Sequence, residues 1–352
     1  MKPSPDFAEP KSPSPKRRGK IAHIAAALLG LSLIAYLVWQ TGFEVVYQAI
    51  SSPAIYWKSI FACEIGFWCF GLLSQRALYG EKAKKIPWSV LLKAGCSTYV
   101  IMGLLPMGRV AGEAVRAVML APYVGKSLAT MVAVQAQIIV LSITTLVTCL
   151  AAIVFVTKLG WQPMSWLGVL NAGLIAGVFV LAILAAKRFH IGRKLGFLLP
   201  RVKVFGEEFD AYFIGTHVLP TKAVLYEGLS RLSQLIQNGF LVLSVGGMWG
   251  ISQAIASEGV HLVGATVGDL IPGQLGVHEL VYSQAGTLLG IGAEQALSIA
   301  LLAHISQMFG VALALVVPLL VVIPAKAGIQ NRRPRLKQPK NKLHQDDEIP
   351  AR

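Results

Sequence analysis

Residues Asp269–Glu279 read DLIPGQLGVHE and interrupt a part of the chain that is otherwise strongly apolar. A related stretch far upstream, Leu104–Glu113, reads LLPMGRVAGE. In both stretches a proline precedes a glutamate by seven residues, with two glycines between them. Irregular backbone at membrane depth is tolerated only where protein or a water-filled cavity satisfies its polar groups. Two such breaks in matching halves of a chain therefore indicate a transport site.

The composition is that of a membrane protein. Of the 352 residues, 55% are hydrophobic and 14% are charged, whereas soluble domains carry about 25% charged residues. Several apolar runs reach the ~20 residues that a spanning helix requires. The composition therefore predicts an all-α polytopic membrane protein.

The net charge of +15 does not indicate a nucleic-acid-binding protein. Most Lys and Arg residues lie in the tails and in short loops beside apolar runs, where they set topology and contact anionic headgroups. No hydrophilic segment is long enough to form a soluble nucleic-acid-binding domain. The four cysteines lie in apolar segments without metal-ligand spacing, so neither a metal nor another cofactor is predicted.

Apolar runs and basic loops divide the chain into two tails and two halves. Residues 1–20, rich in proline, serine and basic residues, are predicted to form a disordered cytoplasmic tail, and residues 324–352 a second one. The predicted transmembrane domain covers residues 21–323, with a first half at 21–156, a second half at 166–323, and a cytoplasmic amphipathic segment at 187–222.

About six full spans are predicted in this domain. They cover Ile21–Trp39, Ala54–Leu73, Ser127–Val156, Trp166–Ala186, Val224–Val245 and Ala296–Ile323. Each break is predicted to belong to a re-entrant hairpin that leads into a long apolar helix. Gly246–Gly259 contains no basic residue and is expected to be external, so the second hairpin enters from outside. Three spans in each half give an inverted repeat with both termini in the cytoplasm.

The two breaks carry the candidate site. In the first, Arg109, Glu113 and Arg116 share one helix face, where two arginines and one glutamate could pair and still leave a guanidinium for a phosphate. In the second, a helix starting near Gly276 would direct N–H groups toward a ligand. The candidate substrate-binding residues are Arg109, Glu113, Arg116, Asp269, Gln274, His278 and Glu279. Prolines and glycines are predicted to shape the hairpins: Pro106, Gly108, Gly112, Pro272, Gly273 and Gly276.

A structural alternative stays open for these charges, which could pair with one another and only hold the two hairpins together. Glu64 and Arg231 could likewise form structural pairs, since charges inside a membrane are either paired or functional. Polar residues that could line a cavity or join two helices are Gln135, Gln137, His304 and Gln307. His278 and Glu279 begin an HExxH pattern, but Tyr282 takes the place of its second histidine, so a zinc protease site is excluded.

At these breaks the chain resembles the flippase-like family that shares the transmembrane region of lysylphosphatidylglycerol synthases. The late P-G-x-x-G-x-x-E pattern of that family is matched by Pro272, Gly273, Gly276 and Glu279. The early pattern is met by Pro106, Arg109, Gly112, Glu113 and Arg116. The early stretch is two residues longer than the commonest form, and in this it resembles the branch associated with hopanoid synthesis and transport. The resemblance implies lipid translocation or handling in a bacterial inner membrane.

Three functions remain open at this point. The first is a lipid flippase or transporter without its own ATPase. Its substrate would be an anionic phospholipid or a hopanoid. The protein could form a homo-oligomer. Here Arg109 and Arg116 would bind a headgroup, with Glu113, Asp269 and Glu279 as counter-charges or proton carriers. The second is a non-transporting scaffold of a lipid-synthesis complex that acts through residues 187–222, and the third is a proton-coupled carrier of a small anion. No enzymatic activity is expected, and lysyl transfer in particular is not, because the sequence lacks a soluble aminoacyl-transferase domain.

Overall fold

The computed structural model describes residues 39, 44, 47, 51, 55–105, 107–188, 191–198, 203–215, 218–268, 274 and 276–329. These residues form α-helices and short 3-10 turns, and no strand occurs among them. The all-helical prediction is therefore confirmed for this part of the chain. Pro106, Asp269, Pro272, Gly273, the tail at 1–20 and most of the first predicted span lie outside the described residues.

The α-helices are numbered here in chain order. They are α1 (Trp57–Leu78), α2 (Trp88–Leu104), α3 (Gly108–Val124), α4 (Lys126–Leu159), α5 (Pro163–Lys187), α6 (Ile191–Leu198), α7 (Lys203–Gly215), α8 (Thr221–Ser244), α9 (Ile251–Gly268), α10 (Val277–Ser283), α11 (Gly286–Leu289) and α12 (Ala293–Ile329). The 3-10 helix Gly80–Lys85 connects α1 to α2.

Three of the described helices are long and apolar enough to cross a membrane: Lys126–Leu159, Pro163–Ala185 and Ala293–Pro318. With its 34 residues, α4 is about 51 Å long, so it must tilt or extend beyond a hydrocarbon core of ~30 Å. The predicted spans on α1 and α8 do not reach that standard, because polar residues interrupt both helices. The number of spans therefore stays a prediction.

The first break joins α2 and α3 into a tightly packed helical hairpin. A Cβ atom on Gly108 would lie 2.5 Å from the carbonyl oxygen of Ile101 and 2.8 Å from the Cα of Met102. Farther along α3, the hydroxyl of Thr98 donates to the carbonyl oxygen of Gly112 at 3.0 Å. Both glycines are thus needed for close approach of the two helices.

Helices of the two predicted halves contact one another. Helices α1 and α8 pack along each other. The first hairpin contacts the last helix of the second predicted half through α2 and α12, and α9, which precedes the second break, contacts α4, the last helix of the first predicted half. Each break is thus joined to a helix that contacts the other predicted half.

The segment before the second break is largely helical. Helix α9 begins at Ile251 and buries both Glu258 and Gly259 within the protein. A Cβ atom on Gly259 would lie 2.4 Å from the Cβ of Ala151 on α4, so this part of the segment packs closely against α4. The predicted position of Gly246–Gly259 outside the membrane stays a prediction.

The helix after the second break is also shorter than predicted. Instead of one long apolar helix, α10 has seven residues and α11 has four. Gly290 ends α11 in the left-handed conformation, with φ +73°, which is the usual way for glycine to stop a helix. The long apolar helix follows only as α12.

The predicted amphipathic segment at 187–222 forms the short helices α6 and α7, which pack against each other. Both oxygens of the Asp210 carboxylate accept backbone N–H groups of α6, from Gly192 and Arg193, at 2.9 Å each. The aromatic side of α7 is buried around Phe213. Its position on a membrane surface stays a prediction. At the other end of the chain, α12 continues to Ile329, beyond the predicted boundary at 323.

We predict that Gly108→Ala destabilises the first hairpin by about 1–3 kcal/mol, because the added methyl group meets backbone atoms that cannot move independently. The measurement is thermal unfolding of the purified protein in detergent. The matched control is Gly228→Ala in α8, where an added Cβ meets nothing within 4 Å, and a small stabilisation of ~0.5–1 kcal/mol is expected. Equal melting temperatures for the two variants would contradict the close approach at Gly108.

Candidate functional site

The two breaks share one cavity. Its volume is about 400 Å³, and its wall includes Gly108 and Arg109 from the first break and Gln274 and His278 from the second. The other polar side chains in the wall come from several helices and are Glu64, Tyr99, Thr144, Arg231, Gln234, Gln237, Asn238, His261, Thr266, His304 and Gln307. Described residues of both breaks therefore border one polar chamber, which is the kind of place where irregular backbone in a membrane can be satisfied.

Part of the cavity wall is apolar. It includes Leu174, Ile175 and Val178 from α5 and Leu141 from α4. Leu174 and Val178 are 57% and 44% exposed. Since α5 is one of the helices apolar enough to cross a membrane, exposed apolar side chains on it are suited to contact lipid.

Of the charged trio predicted in the first break, the structure brings only Arg109 to the cavity wall. Arg116 and Glu113 form a buried ion pair, with 2.6 Å between Nη1 and Oε1, and neither is among the described residues that line the cavity. Arg116 lies seven residues beyond Arg109, about 10 Å farther along the helix axis. The sequence pattern predicted that the three side chains share one helix face, but it did not predict which of them lie at the level of the cavity along the helix axis.

The second break contributes Gln274 and His278 to the cavity, where Gln274 Oε1 and His278 Nε2 are 2.6 Å apart. Glu279 does not line it. Its carboxylate accepts the backbone N–H of Gly276 at 2.8 Å, so it stabilises the first turn of α10. The other carboxylate oxygen lies 3.3 Å from Nε2 of His304, which does line the cavity.

Each break contains one non-glycine residue in the left-handed region. Met107 has φ +51° and Gln274 has φ +57°, and no other non-glycine among the described residues has a positive φ. Such a conformation costs about 1–2 kcal/mol for an L-residue. Strained residues persist only where the surrounding structure fixes them and are concentrated at functional sites. The pair gives the two breaks a second common feature that the sequence did not reveal.

A buried ion pair that includes one residue of the cavity wall, Arg231, joins α8 to α9. Arg231 Nη1 lies 3.3 Å from Glu258 Oε1, and the side chains are 5% and 1% exposed. The second oxygen of Glu258 accepts from Asn238 Nδ2 at 2.7 Å, and Arg231 donates to Thr144 on α4 at 3.3 Å. The Nε atom of Arg231 has no hydrogen-bond partner among the described residues. Sequence reasoning identified Arg231 but missed Glu258, although a single acidic residue inside a long apolar run was the available signal.

Glu64 sits in a different environment from Glu258. Its carboxylate accepts hydrogen bonds from the hydroxyl of Tyr99 on α2, from Gln237 Nε2 on α8 at 2.8 Å, and from Ser306 Oγ on α12 at 3.4 Å. All three donors are neutral, and none of the ion pairs found among the described residues includes Glu64. A buried carboxyl group thus connects four helices without a basic partner.

Three histidines line the cavity as one cluster. The ring of His278 lies 4.6 Å from that of His261 and 5.5 Å from that of His304, measured between centroids. The described residues include no group of His, Cys, Asp or Glu side chains arranged to hold a metal ion. Each imidazole can donate and accept a hydrogen bond. Of the polar residues that the sequence suggested for a cavity, His304 and Gln307 line it. The side-chain oxygen of Gln135 instead accepts a hydrogen bond from the hydroxyl of Tyr212 at 2.7 Å, which joins α4 to α7.

Comparison with known proteins gives one family. The model of the family described as "Lysylphosphatidylglycerol synthase TM region" matches residues 23–315. Neither the curated proteins nor the solved structures give a match. The matched region includes both breaks and every residue of the cavity wall.

We predict that Glu258→Ala lowers the free energy of unfolding by about 3–5 kcal/mol, because it leaves Arg231 buried without its counter-charge. The double variant Arg231→Met, Glu258→Leu should be less destabilised than this single variant, since no buried charge remains unpaired. Denaturation followed by tryptophan fluorescence measures both. The exposed ion pair of Glu81 and Lys84 provides the control, because Glu81→Ala should leave stability nearly unchanged. A double variant at least as unstable as Glu258→Ala would contradict the pairing.

Proposed function

The chain belongs to the family of lysylphosphatidylglycerol synthase TM regions, and from this membership and the shared cavity we propose that it is a lipid flippase. In this proposal the cavity between the two breaks binds a lipid headgroup and carries it across the bilayer. The chain acts as a transporter and catalyses no covalent reaction. In this proposal both termini are cytoplasmic, in accordance with the positive-inside rule. The membrane is the inner membrane of a bacterium, as the family resemblance implies.

The observation that carries this proposal is the combination of polar and apolar surface in one cavity. Arg109 and Arg231 offer guanidinium groups, which suit the oxygens of a phosphate. In the same wall, α5 offers the apolar side chains of Leu174, Ile175 and Val178, of which Leu174 and Val178 are partly exposed. A volume of about 400 Å³ falls in the range of ~300–1,000 Å³ typical of small-molecule sites. A phospholipid has this same division, with a polar headgroup attached to apolar chains.

The balance of charges around the cavity favours recognition of a phosphate through hydrogen bonds over recognition through an excess of positive charge. Electrostatic interactions link Arg109 to Glu113 and Glu227, and Arg231 is paired with Glu258. The cationic groups of this region are thus balanced by nearby carboxylates. A phosphate would be held through hydrogen bonds, and the buried Nε of Arg231 is a donor that such an oxygen could engage.

The packing of the two halves supports a transport mechanism. Each hairpin rests on the last helix of the opposite half, so a rocking motion of one half against the other would move both breaks relative to the cavity. Inverted repeats that meet at a central site commonly work in this way. The inverted orientation of the halves is part of the proposal, as is the re-entrant course of both hairpins.

We predict that Arg109→Ala reduces lipid translocation by about tenfold or more, the effect expected when a charged hydrogen bond worth ~1.5–3 kcal/mol is lost from the transport intermediate. The assay uses proteoliposomes with headgroup-labelled phosphatidylglycerol or phosphatidylcholine and an external quencher of the label. Lys84→Ala removes the same charge from an exposed site and should translocate like the wild type.

Two outcomes of this assay would favour the other functions. Wild-type protein that moves neither lipid faster than empty liposomes would overturn the flippase proposal, and a dependence of cellular function on residues 187–222 would then indicate a scaffold. Saturable uptake of inorganic phosphate in place of lipid movement would indicate a small-anion carrier. Unequal rates for the two lipids would identify the preferred headgroup charge.

We further predict that Leu174→Trp slows translocation more than Leu170→Trp. Both leucines lie on α5 and are exposed, by 57% and 65%, but only Leu174 is part of the cavity wall. The larger indole at Leu174 would fill space that the headgroup needs, whereas the same change at Leu170 alters only the exterior. Equal rates in the two variants, measured in the same liposomes, would argue against passage along α5.

A further inference from the structure

Glu64 lies where two hollows meet. It lines the large cavity, and it also lines a hollow of about 10 Å³ on another side, together with Tyr99 and Trp68. The indole Nε1 of Trp68 is buried and has no hydrogen-bond partner among the described residues. A hollow of this size, with several polar groups in its wall, suits a single water molecule. The side chain of Glu64 therefore borders both hollows.

The charged groups on the surrounding helices leave this carboxyl without a counter-ion. The titratable groups with described side chains on its own helix and on the elements packed against α1 are Lys58, Cys63, Cys69, Arg76, Glu81, Lys82, Lys84, Lys85, Lys93, Cys96, Tyr99, Lys126, Cys149, Lys158, Lys222, Tyr226, Glu227, Arg231, Glu294 and His304. Of the basic groups that also line the cavity, Arg231 is paired with Glu258 and His304 contacts Glu279. The side chains that act on the Glu64 carboxyl are Tyr99, Gln237 and Ser306. All three are neutral hydrogen-bond donors.

We propose that Glu64 is the proton-binding site that couples proton movement to headgroup movement, an inference that rests on the flippase proposal. Water that reaches the cavity delivers a proton to the carboxylate, which becomes a neutral carboxylic acid. When the cavity opens to the opposite side, the acid returns the proton to water there and the carboxylate forms again. No other reactant is needed.

The physical basis is the cost of an unpaired charge. A carboxylate in a membrane interior costs several kcal/mol unless a cation or a proton compensates it. The neutral donors around Glu64 compensate only in part, so a proton is the available partner. Because Arg109 and Arg231 face the same cavity, loss of the negative charge at Glu64 makes the cavity more favourable for a phosphate. By reciprocity, a bound phosphate favours proton uptake.

This assignment differs from the expectation that Glu113, Asp269 or Glu279 carries the proton. Glu113 is held by Arg116, and Glu279 is held by the N–H of Gly276 and by His304. Asp269 lies outside the described residues. Among the described carboxyl groups of the cavity wall, Glu64 therefore has the surroundings that a proton carrier needs.

Infrared difference spectroscopy of the full chain in liposomes tests the site directly. A step in pH should produce a carboxylic acid C=O band in the wild type, and Glu64→Gln should abolish that band. Glu81→Gln, at an exposed position, should retain it. A spectrum that is the same in the wild type and in Glu64→Gln would overturn the proposal.

If Glu64→Gln does not fold, Tyr99→Phe takes its place. Removal of the tyrosine hydroxyl takes one donor from the carboxylate form, so the pH midpoint of the band should move upward. An unchanged midpoint would overturn the proposal.

Transport measurements separate this inference from the proposed function. Wild-type proteoliposomes with an entrapped pH dye should take up protons as they move labelled phosphatidylglycerol, whereas Glu64→Gln should lose the proton uptake. A Glu64-dependent band without lipid movement would support the proton site and contradict the flippase function. Lipid movement with identical proton uptake in both proteins would contradict the proton site and leave the flippase function intact.

Discussion

The need to satisfy backbone polar groups away from water governs this structure. Helix α2 ends at Leu104 and α3 begins at Gly108, while α9 ends at Gly268 and α10 begins at Val277. Every such end leaves N–H and C=O groups without helical partners. The chain meets this need by placing both ends at one polar cavity. The reciprocal packing of each hairpin on the opposite half holds them there. The cavity is thus a structural requirement of the breaks before it is a binding site.

The same requirement divides the buried charges into two classes. Arg231 with Glu258, and Arg116 with Glu113, are pairs in which each charge compensates the other. Removal of one partner from such a pair is costly, yet the pair itself adds little net stability. Glu64 belongs to the second class, because its partners are neutral hydroxyl and amide groups. Paired charges fix helices in place, and a carboxyl with neutral partners remains able to exchange a proton.

Sequence reasoning reached the fold class, the family and the two breaks, because composition and the spacing of proline, glycine and glutamate are local signals. It also selected Arg109, Gln274 and His278, which the structure places on one cavity. Sequence reasoning failed for features that depend on position along a helix axis or on contacts between residues distant in the sequence. The face shared by Arg109 and Arg116 says nothing about their separation along α3, and Glu258 acquires its role only through Arg231, 27 residues earlier in the chain.

The size of the cavity and the apolar side chains that α5 adds to its wall limit which part of a lipid could enter. A cavity of about 400 Å³ can hold a headgroup, but long acyl chains require a path of their own. Exposed leucine and valine side chains on α5 border the cavity, so the chains could stay in the hydrocarbon phase while only the headgroup enters the polar chamber. Desolvation of that headgroup is then the principal barrier. Arginine donors lower it for the phosphate, and one proton on Glu64 removes the nearest opposing charge. Headgroup and proton would therefore enter the chamber together, which links the direction of lipid movement to the proton gradient.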